Sequence, residues 1–162
     1  MEKKLNYQIR ELKPDEYRLL EDFIYEAIFQ PDDKKMLPRS IISKPEIMVY
    51  IDRFGVLPDD YCLCAEVEGK VIGAVWVRNI SGYGSIDNET PEFSISLFKE
   101  YRGQGIGSEL MDSMIEYLRR SGYSQASLAV QKKNYAARMY RKLGFEIVGE
   151  TDQEYIMKIM LK

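Results

Sequence analysis

The sequence predicts an α/β protein in which a central mixed β-sheet of about seven strands is flanked by about four helices. Along the 162 residues, segments with strand-like patterns take turns with segments of helical apolar spacing. The order is β-α-α-β-β-β-α-β-α-β-β, and such a mixture places helices on the faces of a central sheet. With 45% apolar and 30% charged residues, and no repeat or low-complexity tract, residues 1–162 are expected to form one domain.

The N-terminal half of the chain supplies the first five elements. Residues 7–12 alternate apolar and polar side chains as a strand does, and residues 14–29 repeat apolar side chains at helical spacing before a proline. A proline at its start predicts a short helix over residues 45–55, which ends at a glycine. Residues 61–68 and 71–79 are rich in β-forming residues and are predicted to be two strands joined by a tight glycine turn.

The C-terminal half supplies the remaining elements. Residues 106–121 are predicted to form an amphipathic helix, because their apolar side chains recur on one face, and a second helix is predicted over residues 134–143. A glycine follows each helix, which is a common helix end. The predicted strands are residues 92–98, 125–130, 146–150 and 154–161, the last two as a terminal hairpin.

The absence of certain residue types excludes several kinds of chemistry. The chain contains no histidine, so a Ser-His-Asp triad, a Cys-His pair and an imidazole metal ligand are ruled out. Cys62 and Cys64 share one face of a strand, but a structural zinc site would need two further soft ligands. Both cysteines are expected to be small buried apolar side chains.

Composition also limits the location and partners of the protein. The net charge is −3, whereas nucleic-acid-binding proteins usually show a basic excess, so no nucleic-acid partner is expected. The apolar runs are shorter than the ~18 residues of a membrane helix, and the first residues lack the apolar core of a secretory signal. We therefore expect a cytoplasmic protein without a membrane partner.

The most informative stretch is a glycine-rich turn that connects a predicted strand to the helix at residues 106–121. Its sequence is Arg102-Gly103-Gln104-Gly105-Ile106-Gly107. Glycines let the backbone approach a ligand without a Cβ in the way. The first N–H groups of the following helix lack internal partners and carry the positive end of the helix dipole. The turn therefore predicts an anion site, for which phosphate is the usual ligand.

Two common phosphate-binding motifs do not match this turn. A dinucleotide fingerprint needs a third glycine where Ser108 stands, and residues 125–130 end without an acidic residue for a ribose. A P-loop needs a Gly-Lys-Ser/Thr ending, which does not occur. These departures argue against a nucleotide-binding protein of the Rossmann type.

Two motifs resemble those of the Gcn5-related N-acetyltransferase (GNAT) family. Its signature Arg/Gln-x-x-Gly-x-Gly/Ala is matched by Arg102, Gly105 and Gly107, although proline is common in the family where Lys99 stands. Its second motif is an Asn, an Ala-rich helix, a Tyr and then Leu-Gly-Phe. The matching residues are Asn134, Ala136, Ala137, Tyr140, Leu143, Gly144 and Phe145. The resemblance implies the GNAT-like fold, with residues 61–162 as the acetyl-CoA-binding core and residues 1–60 as a variable acceptor side.

The resemblance also implies an activity and a set of cofactor contacts. The activity is direct transfer of an acetyl group from acetyl-CoA to a primary amine of a small molecule, an amino acid, or a peptide or protein, with both substrates bound at once and no metal. The family's pantetheine arm lies between two splayed strands, here residues 92–98 and 125–130. The N–H of Leu97 is expected to polarise the thioester carbonyl, the amides of residues 104–108 to bind pyrophosphate, and Arg102 to close the turn. The residues assigned to the cofactor are Leu97, Phe98, Lys99, Arg102, Gly103, Gln104, Gly105, Ile106, Gly107, Ser108, Asn134, Ala137, Arg138 and Tyr140.

Two side chains are assigned to proton transfer. Tyr140 is expected to give a proton to the departing thiolate, unless it is only a helix core residue. Without histidine, the base that deprotonates the ammonium is a carboxylate, a tyrosinate or solvent. Glu92 is the leading candidate, with Asp87 and Glu89 just before it, and these carboxylates would also favour a cationic acceptor.

The charge distribution agrees with a polyanionic ligand such as coenzyme A. Residues 99–142 carry nine Lys/Arg and four Asp/Glu, a net charge of +5, whereas the rest of the chain has a net charge of −8. A basic region of this kind attracts polyanions. The candidates for phosphate contacts, which are otherwise solvated charges, are Lys132, Lys133, Arg138 and Arg141.

The acceptor side and the oligomeric state are less well specified. Trp76 is expected in the core, and Arg78, on the same strand face, is a candidate for a substrate carboxylate. The first two helices and residues 30–45 are expected to form an acceptor lid, with Phe29 and Met36 as candidates either for its lining or for packing. The terminal hairpin offers an edge strand for a homodimer. A non-catalytic acyl-CoA-binding or sensing module on the same fold is the alternative function.

Overall fold

A seven-stranded mixed sheet is the centre of the computed structural model, which describes residues 5–28 and 37–162. The strands are β1 (Gln8–Glu11), β2 (Tyr61–Val67), β3 (Lys70–Arg78), β4 (Glu92–Leu97), β5 (Gln125–Gln131), β6 (Glu146–Glu150) and β7 (Glu154–Met160). Their order across the sheet is β1-β2-β3-β4-β5-β7-β6. Only the β4–β5 neighbours are parallel within this described sheet, and the other pairs are antiparallel. The predicted fold class and the seven strands are confirmed.

Four α-helices accompany the sheet in the described part of the chain. The α-helices are α1 (Leu20–Ala27), α2 (Pro45–Met48), α3 (Ile106–Arg120) and α4 (Ala136–Leu143). Shorter 3-10 helices cover Pro14–Leu19, Arg39–Ser43 and Lys99–Tyr101. The apolar face of α3 is fully buried, as its spacing predicts, and it includes Ile106, Leu110, Met114 and Leu118.

The single helix predicted over residues 14–29 is wrong in its first part. A 3-10 helix, Pro14–Leu19, precedes α1 and contains no buried residue, whereas α1 buries Leu20, Phe23 and Ile24. Tight 3-10 turns are frequent at helix N-termini. The first turn is tied to β1, since Arg10 contacts both carboxylate oxygens of Glu16 at 2.9 Å. The end predicted at Phe29 lies outside the described residues.

The helix predicted over residues 45–55 is shorter than expected. α2 ends at Met48, and turns carry the chain on to Gly55, which has a φ of +100°. The turns bury Tyr50, Ile51 and Phe54 against the sheet. The apolar residues of this segment therefore pack from turns as well as from a helix.

The core forms two layers, one on each face of the sheet. Along β3, Ala74 and Trp76 point to the layer that contains α1, while Val75 and Val77 point to the layer that contains α3. This alternation follows from the two-residue period of a strand. All four side chains are buried, so β3 is a central strand covered on both faces.

Two further expectations about the chain can be compared with the fold. Cys62 and Cys64 are buried and unpaired, as expected, and burial raises the pKa of both thiols. β6 lies at an edge of the sheet, while the homodimer stays a prediction. Across residues 5–28 and 37–162, the helices are too short or too polar to cross a bilayer, and no group of three or more Cys, Asp and Glu side chains is arranged to hold a metal ion.

Candidate active site

The candidate active site is a gap between the parallel strands β4 and β5. Their only register pair in the described sheet is Glu92 with Ser127, at the start of β4. Beyond this pair the strands separate, and a cavity of about 400 Å³ lies between them. The splay that the resemblance implies for residues 92–98 and 125–130 is therefore present.

The backbone of Leu97 faces this gap. The N–H of Phe98 donates to Ile72 O of β3 at 3.0 Å. Because hydrogen bonds alternate in direction along an antiparallel ladder, the N–H and C=O of Leu97 point away from β3, towards β5. The C=O accepts a hydrogen bond from Arg102 Nε at 3.0 Å. The N–H has no ladder partner on the β5 side, and it is left available to a bound group.

The glycine-rich turn leads from the end of β4 into α3. Gly103 and Gly105 have φ values of +76° and +88°, a left-handed conformation that favours glycine. Within the two described ranges, none of the backbone N–H groups of residues 103–108 donates a hydrogen bond. These amides stand at the positive end of the α3 dipole, so the turn has the geometry of an anion site.

Arg102 connects this turn to α1. Its guanidinium contacts Leu97 O and also the carboxylate of Glu26 on α1, at 3.1 Å. Its part in phosphate binding stays a prediction. The side chain of Ile106 is buried in the core and that of Gln104 donates to Glu100 O, so the turn offers backbone groups rather than these side chains. Phe98 packs against Phe23, and Lys99 and Ser108 flank the turn.

Glu92 lines the cavity and is almost fully buried, with 2% of its surface exposed. Its Oε2 accepts hydrogen bonds from the Tyr50 hydroxyl and from Gly84 N–H, whereas Oε1 has no partner in the described part of the chain. Burial raises the pKa of Glu92 to about 7, although both hydrogen bonds favour the charged form. This carboxylate therefore exchanges a proton near neutral pH, as a general base must.

The partner of Glu92 is held by the core. Trp76 Nε1 donates to Tyr50 O at 3.0 Å, which fixes the backbone from which the Tyr50 hydroxyl reaches Glu92. Gly84 approaches so close to β5 that a Cβ there would lie 2.5 Å from the carbonyl carbon of Leu128. Glycine at this position lets the loop before β4 bring its N–H to Glu92.

Tyr140 of α4 lines the same cavity as Glu92. Its side chain is buried and packs against Phe145. Burial raises the pKa of Tyr140, so the phenol keeps its proton through neutral pH. Among residues 5–28 and 37–162 its hydroxyl has no hydrogen-bond partner. A protonated, unengaged hydroxyl beside the gap is suited to donate a proton to a bound group.

The other residues assigned from the second motif lie on or near α4. Asn134 lines the cavity, and its Oδ1 accepts the N–H of Ala136, which caps the start of the helix. Ala137 packs against the core, while Arg138 is exposed. The structure thus brings Glu92, Tyr140 and Asn134 into one cavity, and Arg138 onto the nearby surface.

Three assignments made from the sequence are corrected by the contacts. Arg78 is not available for a substrate carboxylate: its side chain is buried and pairs with Asp60 at 2.9 Å. Asp87 does not line the cavity, and its Oδ1 accepts the N–H groups of Glu89 and Thr90, which holds the turn before β4. Lys132 is not free for phosphate, because it pairs with Glu150 and lies over the Tyr155 ring.

Other assignments need less change. Glu89 is exposed and, like Asp87, does not line the cavity. Lys133 and Arg141 are exposed, as solvated charges are. Trp76 is buried in the core as predicted. Phe29, Met36 and the other residues of the expected lid between 29 and 36 lie outside the described residues.

Three residues of the site have no signal in the sequence. Tyr50 and Tyr83 come from the segments that follow α2 and β3, and Glu154 begins β7. Nothing in their local pattern separates them from other tyrosines and glutamates of the chain. Their place in the cavity follows from the order of the strands, which puts β7 beside β5.

Comparison with known proteins identifies the family to which this geometry belongs. The family model of the acetyltransferase (GNAT) family matches residues 16–145. The chain therefore belongs to the GNAT acetyltransferase family.

Relatives and solved structures agree with this membership. N-acetyltransferase 8B from Homo sapiens is 31% identical over 88 residues, which are 54% of this chain and 39% of that protein. The chain thus matches about two fifths of the length of such curated relatives.

The solved structures share the fold over almost the whole chain. An acetyltransferase of the GNAT family from Streptococcus pneumoniae has a TM-score of 0.69 and 23% identity, covering 97% of this chain and 100% of that one. The PaiA N-acetyltransferase from Thermoplasma acidophilum, in complex with coenzyme A, has a TM-score of 0.70 and 19% identity, covering 96% of this chain and 99% of that one.

Proposed function

We propose that this protein transfers the acetyl group of acetyl-CoA to a primary amine, with both substrates bound at once. One observation carries the proposal: Glu92 and Tyr140, a carboxylate that titrates near pH 7 and a protonated phenol, line the same gap between β4 and β5. A base and an acid in one cavity are what transfer between a thioester and an amine requires.

The residues beside the gap fit acetyl-CoA. The unpartnered N–H groups of residues 103–108 suit the pyrophosphate, and the N–H of Leu97 faces the gap in which the pantetheine arm would lie. The PaiA structure, which shares the fold, holds coenzyme A. Exposed Arg138 and Lys133 lie on the basic part of the chain and would attract the phosphates.

In the proposed mechanism the chain supplies three groups. Acetyl-CoA provides an acetyl group activated as a thioester. The Glu92 carboxylate accepts the proton that the acceptor ammonium must lose before its nitrogen bonds to the acetyl carbon. The N–H of Leu97 donates a hydrogen bond to the acetyl oxygen as the C–S bond breaks. The Tyr140 hydroxyl then donates its proton to the leaving thiolate sulfur, and the second proton, which the nitrogen loses as the amide forms, restores the Tyr140 hydroxyl. The proton on Glu92 is released to solvent.

The cofactor part of the proposal is tested by thermal unfolding with acetyl-CoA, desulfo-CoA or NAD in large excess. A ligand at about 100 times its dissociation constant stabilises a protein by roughly 2.7 kcal/mol, which is roughly a 5 to 10 °C rise in midpoint at this size. We expect a rise with both CoA compounds and none with NAD. The absence of a rise with either CoA compound would overturn the proposal.

The catalytic part is tested by Tyr140→Phe. Release of free thiol from acetyl-CoA in the presence of amines should fall by about a hundredfold or more, while the stabilisation by acetyl-CoA is kept. Tyr135→Phe is the matched control, because Tyr135 precedes the same helix but is 84% exposed. Binding of acetyl-CoA without thiol release on any amine would instead indicate a non-catalytic acyl-CoA-binding module.

A further inference from the structure

The cavity between β4 and β5 carries two carboxylates and no positive side chain. Its charged lining residues in the described part of the chain are Glu92 and Glu154, and the other polar groups include the hydroxyls of Tyr50 and Tyr83. The rest of the wall combines apolar side chains with neutral polar ones, among them Ser94, Gln131, Asn134 and Gln153. A cavity of this composition attracts cations and repels carboxylate-bearing ligands.

Glu154 is positioned rigidly at this cavity. It pairs with Gln131 of β5 in the sheet register, and its backbone N–H donates to Thr151 Oγ1 at 3.0 Å. Its C=O accepts the N–H of Thr151. A strand ladder on one side and a closed hairpin turn on the other therefore fix the backbone from which the side chain extends.

The carboxylate of Glu154 has no hydrogen-bond or ion-pair partner among residues 5–28 and 37–162. The nearby cation, Lys132, pairs instead with Glu150. Glu154 is partly buried, and burial raises its pKa. Its charge also raises the pKa of Glu92 and of Tyr83, so it acts on the groups that line the cavity.

Glu92, the other carboxylate of the cavity, also has one oxygen without a partner among the described residues. Glu92 is 2% exposed, and its Oε1 is a buried oxygen with no hydrogen bond. A buried charged oxygen is costly unless a donor or a cation compensates it. Each of the two carboxylates offers an unpartnered oxygen to a positive group, and a diamine brings two such groups, whereas a simple monoamine brings one.

We infer that the acceptor is a diamine, whose reactive nitrogen lies at Glu92 while a second, protonated nitrogen is bound by Glu154. The inference rests on the proposed acetyl transfer and assigns Glu154 as the residue that determines acceptor specificity. A charge-assisted hydrogen bond in a partly buried site is strong enough to change affinity by about tenfold or more. The two nitrogens of the bound diamine thus place one positive group beside each carboxylate.

The test compares diaminobutane with butylamine, which share the reactive amine and the carbon chain and differ in the second nitrogen. For the wild-type enzyme, kcat/KM should be at least about tenfold higher for diaminobutane. Glu154→Gln should reduce this ratio by about tenfold, because Gln keeps the shape but not the charge. Glu146→Gln is the matched control on the neighbouring strand, where the carboxylate is exposed and outside the cavity.

Calorimetric binding of diaminobutane to the CoA-bound protein separates the two proposals. If kcat/KM for butylamine equals that for diaminobutane, the diamine inference is overturned and acetyl transfer stands. The same conclusion follows if Glu154→Gln keeps the wild-type ratio of these two kcat/KM values. If diaminobutane binds wild type but not Glu154→Gln, and no amine is acetylated, the recognition stands and the acetyl-transfer proposal fails. Absence of both binding and turnover overturns both. The wild-type ratio alone remains decisive should the variant fail to fold.

Discussion

The Tyr50 hydroxyl donates a hydrogen bond of 2.5 Å to Oε2 of Glu92, across 42 positions of sequence. The contact links the turns after α2 to the start of β4. Two opposing effects act on the pKa of Glu92 at this point. Burial favours the neutral carboxyl of Glu92, while the hydroxyl favours the carboxylate. Their balance leaves Glu92 with a pKa of about 7, where a base is useful at neutral pH.

Glu92→Gln should remove the pH dependence of the reaction. In the wild-type enzyme, kcat/KM is expected to rise with pH and to level off above about 7, since only the carboxylate accepts a proton. The variant should lose about a hundredfold or more in kcat/KM and show no inflection there. An unchanged profile with unchanged kcat/KM would assign the base to another group or to solvent.

The same substitution should change how stability depends on pH. Glu92 has an ordinary pKa of 4.5 when unfolded and about 7 when folded, so between these values the folded protein binds a proton that the unfolded chain has released. The free energy of unfolding therefore falls as the pH rises through this window. Glu92→Gln should remove this contribution, which urea titrations at pH 5 and pH 8 would measure.

Tyr50→Phe should move the inflection of kcat/KM to a pH above about 7. The substitution removes a donor that favours the charged form of Glu92, so the pKa of the carboxyl rises further. Stability should fall by about 1.5–3 kcal/mol at pH values where Glu92 is ionised, and by less at pH 5. The measurements are the pH profile and urea unfolding.

Tyr17→Phe is the control for this substitution. Tyr17 packs edge-on against Phe54 and does not line the cavity. Tyr17→Phe therefore removes a tyrosine hydroxyl without changing any contact of Glu92. If both variants shift the inflection equally, or if neither does, the Tyr50 hydrogen bond does not set the pKa of Glu92.

Gly105→Ala should weaken binding of coenzyme A more than it lowers stability. Gly105 has a φ of +88°, so a Cβ strains the backbone by about 1 kcal/mol. The Cβ also stands at the turn whose unpartnered amides are proposed to bind the pyrophosphate. Gly122→Ala is closely matched: its φ is +90°, no atom lies within 4 Å of an added Cβ at either position, and it follows the other end of α3.

Thermal unfolding with and without desulfo-CoA distinguishes these two glycines. Both variants should melt earlier by a similar amount, and only Gly105→Ala should show a reduced rise with ligand. A full rise in Gly105→Ala would mean that the pyrophosphate does not bind over this turn.

Arg78→Met should destabilise the protein by about 3–5 kcal/mol, because it leaves the carboxylate of Asp60 buried without its cation. Adding Asp60→Asn should recover part of the loss, since it removes the uncompensated charge. Urea unfolding of the two variants measures both effects. A loss below about 1 kcal/mol, together with a raised KM for carboxylate-bearing amines, would return Arg78 to the acceptor site.

Some features of this protein could be predicted from the sequence because they are local. The face of α3 that contains Leu110 and Met114 follows from helical periodicity, and the glycine turn follows from residues that are adjacent in the chain. The break between Pro14–Leu19 and α1 could not be predicted in this way. The α-helix forms over the part of the segment that packs against the sheet, and local spacing does not specify which part that is.

The charged residues show the same limit. Arg78 and Asp87 each have a residue type that fits a site, and each is bound to a structural partner: Arg78 to Asp60, and Asp87 to the N–H groups that follow it. Glu92 is a good candidate by elimination, but its burial and its bond to Tyr50 exist only in the folded chain.

The sequence by itself therefore determined the order of strands and helices along the chain, the glycine-rich turn and the family resemblance, since each depends on spacing within a short stretch. The tertiary structure decided which of the many carboxylates and tyrosines form the cavity. Glu92, Tyr140 and Glu154 line one cavity because β7 lies beside β5 while β4 and β5 separate. Their shared position depends on strand order and burial, which local spacing does not encode.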